Sequence, residues 1–404
     1  MDIHEPLFVD ANTEIRGSPR GSTIRMAEGF SGRAAFVIRG SGVRLRNFTI
    51  LGNRDQLEIR SDLPPYDRPF ADFTARNGIL ADSHADIAIE GVRFYEMAGF
   101  AILVSSSHNI SIERVRVEDS GSRNEVGSNN ATGGILIEEG TTDFLVANCE
   151  FRKIRGNGLW THSLYTSPRN ASGVFARNVF DTVGRDALQV GHATAMRVEY
   201  NQATRIGFPL DTVDVPGHAI PVGLDTAGDV DQSLYLDNRF SEIDGKCMDL
   251  DGLHDSEVRG NVCVNRAAPG TYPLGNYSIV MNNTNPDMRT QNIRILDNTL
   301  DSAVFGGIFV IGTGNYIARN RLWNINTAHC NDNIAHYGCN YATADPEILE
   351  SGIYLGRGAE RPAPARGNVV EDNWITGWKM SFHCVEAAPD IPKGSNTVRN
   401  NWCR

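Results

Sequence analysis

Short stretches of strict alternation between apolar and polar residues run through the chain. "NISIERVRVED" from Asn109 and "YIARNRLWNI" from Tyr316 place apolar, often β-branched residues at every second position, the pattern of half-buried strands. No long stretch with helical periodicity competes with them. An asparagine recurs just ahead of a short apolar strand: "RNFTI" at Asn47, "ANCEF" at Asn148, "RNVF" at Asn178, "DNRF" at Asn238, "GNVCV" at Asn261, "DNTL" at Asn298, "RNRL" at Asn320, "DNWI" at Asn373 and "NNWC" at Asn401. The closest recurrences are spaced by roughly 22 residues, enough for three short strands and three bends, which is one coil of a parallel β-helix. Asparagine suits such bends because it tolerates left-handed backbone angles, and amides stacked coil on coil bond one another as a ladder.

On this repeat, over roughly residues 30–404, the chain resembles the right-handed parallel β-helix superfamily of pectate lyases, polygalacturonases and related polysaccharide enzymes. The resemblance implies an all-β fold: a single right-handed solenoid of about twelve coils with long groove-lining loops. We expect one domain over residues 1–404, with residues 1–35 as a first coil or cap and residues 380–404 as the C-terminal coil. Phage tailspikes and adhesins share this architecture, so the fold alone does not fix an activity.

Aligning the strand that follows the longest connection in each coil gives a register. The inward positions are then Ile135, Leu159, Leu188, Val222, Met248, Ile279, Ile308 and Ile353, each followed two residues later by a second inward residue. A slip of one residue would bury charges. The outward positions form two columns. One runs Leu136, Trp160, Gln189, Gly223, Asp249, Val280, Phe309, Tyr354; the other runs Glu138, His162, Gly191, Asp225, Asp251, Asn282, Ile311, Gly356. Coils are about 4.8 Å apart and alternate residues on one face about 6.5–7 Å apart, so Asp225, Asp249 and Asp251 are expected to form one triangle. His162, His192, Trp160, Gln189, Glu138 and Arg185 are expected on the same face, and Lys246 beside the aspartates. Inserts at residues 52–76, 119–132, 207–220, 265–277 and 326–350 would wall one edge of the groove. Tyr165, Phe208, Tyr272 and Tyr277 lie on or near them as flat surfaces for sugar rings or as ordinary packing. Asp211, Asp214 and His218 belong to the third insert, and His254 and Asp255 to the bend past the face strand.

Composition narrows the partners. A formal net charge of −11 argues against nucleic acid, whose phosphates need a basic stripe. No apolar run approaches the roughly 20 residues that span a bilayer, so no membrane partner is expected. Among seven cysteines, no spacing fits a zinc site. Bridges are expected between Cys330 and Cys339, Cys384 and Cys403, and Cys247 and Cys263, leaving Cys149 as a small buried residue. "MDIHEPLFVD" lacks a basic head followed by an apolar stretch. With bridged cysteines, this favours a secreted or periplasmic protein whose targeting segment has been removed.

The aspartates suit glycoside hydrolysis, which needs one protonated and one ionised carboxyl group. Asp225, Asp249, Asp251 and His162 are the candidate catalytic residues. Trp160, Gln189, His192, Arg185, Lys246, Glu138 and Asn282 are candidates for binding the polysaccharide or oligosaccharide. The arrangement resembles that of polygalacturonases but departs from it: the adjacent aspartate pair is here Asp-Leu-Asp, and no Gly-His-Gly or Arg-Ile-Lys motif follows. The alternative is a lyase or epimerase acting on a uronate polymer. There Ca²⁺ held by the aspartates, or arginine, would neutralise the sugar carboxylate, and Lys246 or Arg185 would act as base. A non-catalytic glycan-binding or spike protein is a third reading. No cofactor is expected beyond Ca²⁺ in the lyase case, and the sequence leaves monomer or homo-oligomer open.

Overall fold

The computed structural model describes residues 1–60, 68–213, 220–283, 288–330, 350–358 and 361–404. Its contacts divide the chain into two compact units, Met1–Arg197 with Gly207–Ala219, and Val198–Ile206 with Ile220–Arg404. Both are built from coils of three short parallel strands. In the first unit one coil is Ile102–Ser105, His108–Glu113 and Arg116–Ser120. Its strands pair in parallel with those of the next coil, Ile102 opposite Ile135, Ile110 opposite Phe144 and Val117 opposite Phe151. In the second unit Lys246–Asp251, Glu257–Arg259 and Val262–Val264 form a coil, with Met248 opposite Ile279, Val258 opposite Ile295 and Cys263 opposite Leu300. Alternation along each strand sends one set of side chains inward, where Ile135, Leu159, Met248 and Ile279 have no exposed surface.

There are about fourteen coils where about twelve were expected. Asp2–Ile3 already pairs with Thr23–Met26, and Leu7–Val9 with Ala34–Ile38, so the first 35 residues are built as coil.

Two residues at each bend share the work that the sequence assigned to asparagine alone. One adopts a left-handed backbone; the next turns inward. In the second unit the left-handed residues are Asp237, Asp297, Arg319 and Asp372 (φ 54–56°), and the asparagines follow them. Asn201, Asn238, Asn261, Asn298, Asn320, Asn373 and Asn401 form a continuous ladder, each donating from its amide side chain and its backbone N–H to the Oδ1 of the next at 2.9–3.1 Å. In the first unit Asn47 and Asn148 (both φ 56°) are themselves the left-handed residues, and Phe48 and Cys149 occupy the buried position. The same residue type therefore does two jobs one position apart.

The bridges Cys247–Cys263 and Cys384–Cys403 form as expected, and Cys149 is free and buried. Cys330 is disulfide-bonded; its expected partner Cys339 lies outside the described residues. Such bridges persist in oxidising compartments, which points to an extracytoplasmic location. Among the described residues no helix is long and apolar enough to cross a membrane.

Breaking a buried ladder amide leaves backbone N–H and C=O groups without partners, at a cost of about 1–3 kcal/mol per group. Asn298→Leu is expected to lower the unfolding free energy by roughly 2–4 kcal/mol in urea melts, while Asn47→Gly, exposed and left-handed, stays within about 0.5 kcal/mol of the parent.

Candidate functional site

In the second unit the strand Lys246–Asp251 buries Met248 and Leu250 and turns Asp249 and Asp251 to the outer face. The neighbouring strand Val222–Asp231 places Asp225 directly opposite Asp249. Asp225, Asp249 and Asp251 are 9%, 9% and 8% exposed. The sequence alignment had set Asp225 against Asp251, two residues out of register. Its inward pair is Leu224 and Thr226, in place of Val222 and Leu224. The Thr226 hydroxyl, fully buried, donates to the Asp251 carbonyl at 3.0 Å. A shift of two preserves which side chains face inward, so alternation cannot detect it. The clue was Leu159-Trp160-Thr161, where a threonine also fills the second inward position.

Lys246 donates from Nζ to Asp249 Oδ2. Asp249 Oδ1 is buried and has no hydrogen-bond partner among the described residues. Asn282 lies opposite Asp251. His254, expected in a turn, is instead buried in the short strand Leu253–His254, with Nε2 3.6 Å from Asp229 Oδ1 and 3.7 Å from Asp231 Oδ2. Asp255, by contrast, is an exposed left-handed bend residue.

In the first unit the outward column is apolar and is covered. Leu80, Leu103, Leu136 and Trp160, with Val37 beside them, pack under the short helix Phe70–Phe73 of the first insert. The Phe70 ring makes edge contacts with Phe100, Trp160 and His162 at centroid distances of 5.7, 5.1 and 5.2 Å. Arg33 donates to the Ala71 carbonyl, and Arg54 is paired with Asp119 at 2.9 Å. Trp160 and Glu138, expected to face an open groove, lie beneath this cover. Glu138 is fully buried; its two oxygens accept the backbone N–H groups of Phe70 (2.9 Å) and Ala71 (2.6 Å). Burial pushes its carboxyl up to about 8, against the two hydrogen bonds, which lower it. His162 Nδ1 is 3.9 Å from Glu138 Oε2; burial first, and His192 second, push the imidazole down to about 4.

The other first-unit candidates spread out. His192 (φ 44°) packs against the exposed Tyr165 ring at 5.1 Å, Gln189 Oε1 accepts from Asn157 at 3.2 Å, and Arg185 Nε lies 3.8 Å from Asp186. Glu138, Glu139 and His162 bring potential ligand atoms within 4.8 Å of one another, and among the described residues this is the one such group. Glu138 is already engaged, and Glu139 Oε1 accepts the Leu164 N–H at 2.9 Å. Tyr272 and Tyr277 are packing residues, 1% and 2% exposed, and Asp211 is exposed. Asp214 and His218 lie outside the described residues.

Residues 33–222 match the family model described as the right handed beta helix region. The chain is a right-handed parallel β-helix. No curated protein matches its sequence significantly. Among solved structures, this β-helix is similar to a mutant of the catalytic domain of GH87 alpha-1,3-glucanase in complex with tetrasaccharides, with a TM-score of 0.59 and 12% identity over 99% of this chain and 62% of that one. It is similar to a mutant of DFA-IIIase from Arthrobacter chlorophenolicus A6 in complex with DFA-III, with a TM-score of 0.52 and 12% identity over 99% and 86%. It is also similar to PfbA, a surface adhesin of Streptococcus pneumoniae, with a TM-score of 0.47 and 13% identity over 80% and 82%. Likeness at this identity establishes the fold alone.

The buried Glu138 gives this β-helix a pH signature. A carboxyl raised from 4.5 to about 8 stabilises fully below pH 4.5, and that contribution is lost as pH rises through 8. Denaturation at pH 5 and pH 8.5 should show a loss of a few kcal/mol, at about 1.4 kcal/mol per pKa unit, that Glu138→Gln largely abolishes. Equal slopes for parent and variant would remove Glu138 as the cause.

Proposed function

We propose that the protein is a secreted or periplasmic glycoside hydrolase acting on a polysaccharide or oligosaccharide through Asp225, Asp249 and Asp251. The observation that carries this reading is the near-burial of three aspartates on two adjacent strands, two of them in direct register. Three carboxyl groups gathered on strands one coil spacing apart, about 4.8 Å, offer more than one candidate donor and acceptor of a proton. That supplies the acid and base that glycosidic cleavage needs.

Lys246 engages Asp249, so the acid and base are assigned to the diagonal pair, Asp225 and Asp251. Strand geometry puts their attachment points roughly 7–8 Å apart, which leaves room for the water that an inverting reaction places between two carboxyl groups. The reaction proposed is therefore inverting: one carboxyl group protonates the leaving oxygen while the other activates water, and Asp249 with Lys246 holds the sugar between them. The partly exposed Lys246 also favours a second reading, elimination from a uronate polymer, with this amine or a Ca²⁺ ion meeting the sugar carboxylate.

Incubation with a panel of neutral and acidic glycans tests both. Hydrolysis gives new reducing ends of inverted configuration by NMR, insensitive to EDTA, and Asp225→Asn or Asp251→Asn should lower kcat by about 10²–10⁴-fold. Products absorbing as unsaturated uronates would replace the hydrolase with the lyase, and absence of any product across the panel would leave a binding protein.

A further inference from the structure

The second unit carries another polar surface, along the bends that follow its face strands. His254, Gln291, Thr313 and Arg366 bridge one another in parallel on successive coils. Two of these bends are flanked by residues 288–292 and 361–367. A cavity of about 520 Å³ lies where they meet, lined by Asn283, Thr290, Gln291, Arg289, Arg361 and Arg366 among others. The second segment reads Arg-Pro-Ala-Pro-Ala-Arg over residues 361–366. Its prolines fix φ, and its middle is fastened to the coil: the Ala363 carbonyl accepts the Gly312 N–H at 2.6 Å, and the Arg366 N–H donates to the Gly312 carbonyl at 3.1 Å. Arg361 and Arg366 thus project from a stiffened loop.

Arg289, Arg361 and Arg366 are exposed, and among the described residues none of them makes an ion pair or side-chain hydrogen bond. Three guanidinium groups around one cavity repel, and an anion placed among them relieves that repulsion. The planar fork of arginine matches the two oxygens of a carboxylate. Asn283 directly follows Asn282, the residue opposite Asp251, which sets the cavity one to three coils from the aspartates, roughly 5–15 Å.

We propose that this cavity is an anion subsite that takes the carboxylate of an acidic sugar in a glycan that also crosses the aspartate cluster. It rests on the reading of the aspartates as a glycan site, and it narrows the substrate class to glycans bearing uronate units. Sulfate esters offer the same charge, and the test separates the two.

Binding is measured by calorimetry on the Asp249→Asn protein with a hexauronate, a sulfated hexasaccharide and a neutral hexaglucan, at low and high salt. The hexauronate should bind tightest and weaken with salt. Arg361→Gln with Arg366→Gln should weaken it by at least about tenfold while leaving the melting temperature and neutral-glycan binding unchanged. The paired Arg→Lys replacements, which keep charge but lose the fork, should recover only part of the affinity. Tighter binding of the sulfated or neutral ligand, or hexauronate binding indifferent to both arginines, would overturn the proposal. Because calorimetry needs no turnover, arginine-dependent uronate binding without any product from the parent protein would sink the hydrolase and leave this subsite standing. Cleavage of neutral glycans alone would do the reverse.

Discussion

Parallel backbone pairing between consecutive coils fixes where each side chain goes, and the rule it follows has a step of two. A slip of one residue would exchange Asp249 and Asp251 with Met248 and Leu250, burying two charges and exposing two core side chains. A slip of two leaves every side chain on its own face and changes only which residues stand opposite. Inside and outside were therefore readable from alternation, and most of the face register with them. The strand carrying Asp225 was not: its second inward residue is a threonine, and no charge would have been misplaced by a shift of two. The aspartates still meet, but Asp225 meets Asp249 first.

The bends show a similar split between what a pattern reveals and what it conceals. A recurring asparagine announced the repeat, yet it occupied two structural positions. Left-handed backbone is required at one of them, and asparagine, aspartate, arginine or glycine all serve there. Burial is required at the next, and only side chains that satisfy one another or need no partner fit. The second unit uses amides that bond in a chain; the first begins that position with Phe48, Val92 and Val115 before reaching Cys149 and Asn178. Asn178 Oδ1 accepts the Cys149 N–H at 3.0 Å, joining the two solutions.

What covers a face is harder to read than the face itself. Leu136 and Trp160 were visible as outward apolar residues, and such a column must be buried against something. The cover is a four-residue helix, too short to leave a periodic signature, and it is held by a carboxyl group reaching up from the sheet. Glu138 therefore looks like a substrate-binding residue in sequence, an acid on the groove side of a strand, while its oxygens are spent on the backbone of Phe70 and Ala71. Its raised pKa follows from the burial that this cover imposes, so an unusual titration here reports packing before chemistry.

The aspartates of the second unit answer a different question, because the same column within that unit shows how the position is filled when only stability matters. Beyond Asp249 it continues with Val280, Phe309 and Tyr354, and the last two rings stack at 5.9 Å. Apolar side chains thus fit the outer face of these coils and pack well there. Bringing three carboxylates to within a tenth of full burial carries a desolvation cost that their partners must offset, and Lys246 pairs with Asp249. A face shaped for stability would have continued the aromatic and aliphatic run through residues 225, 249 and 251. The charge concentrated there departs from that run, and the proposed glycan site rests on this departure.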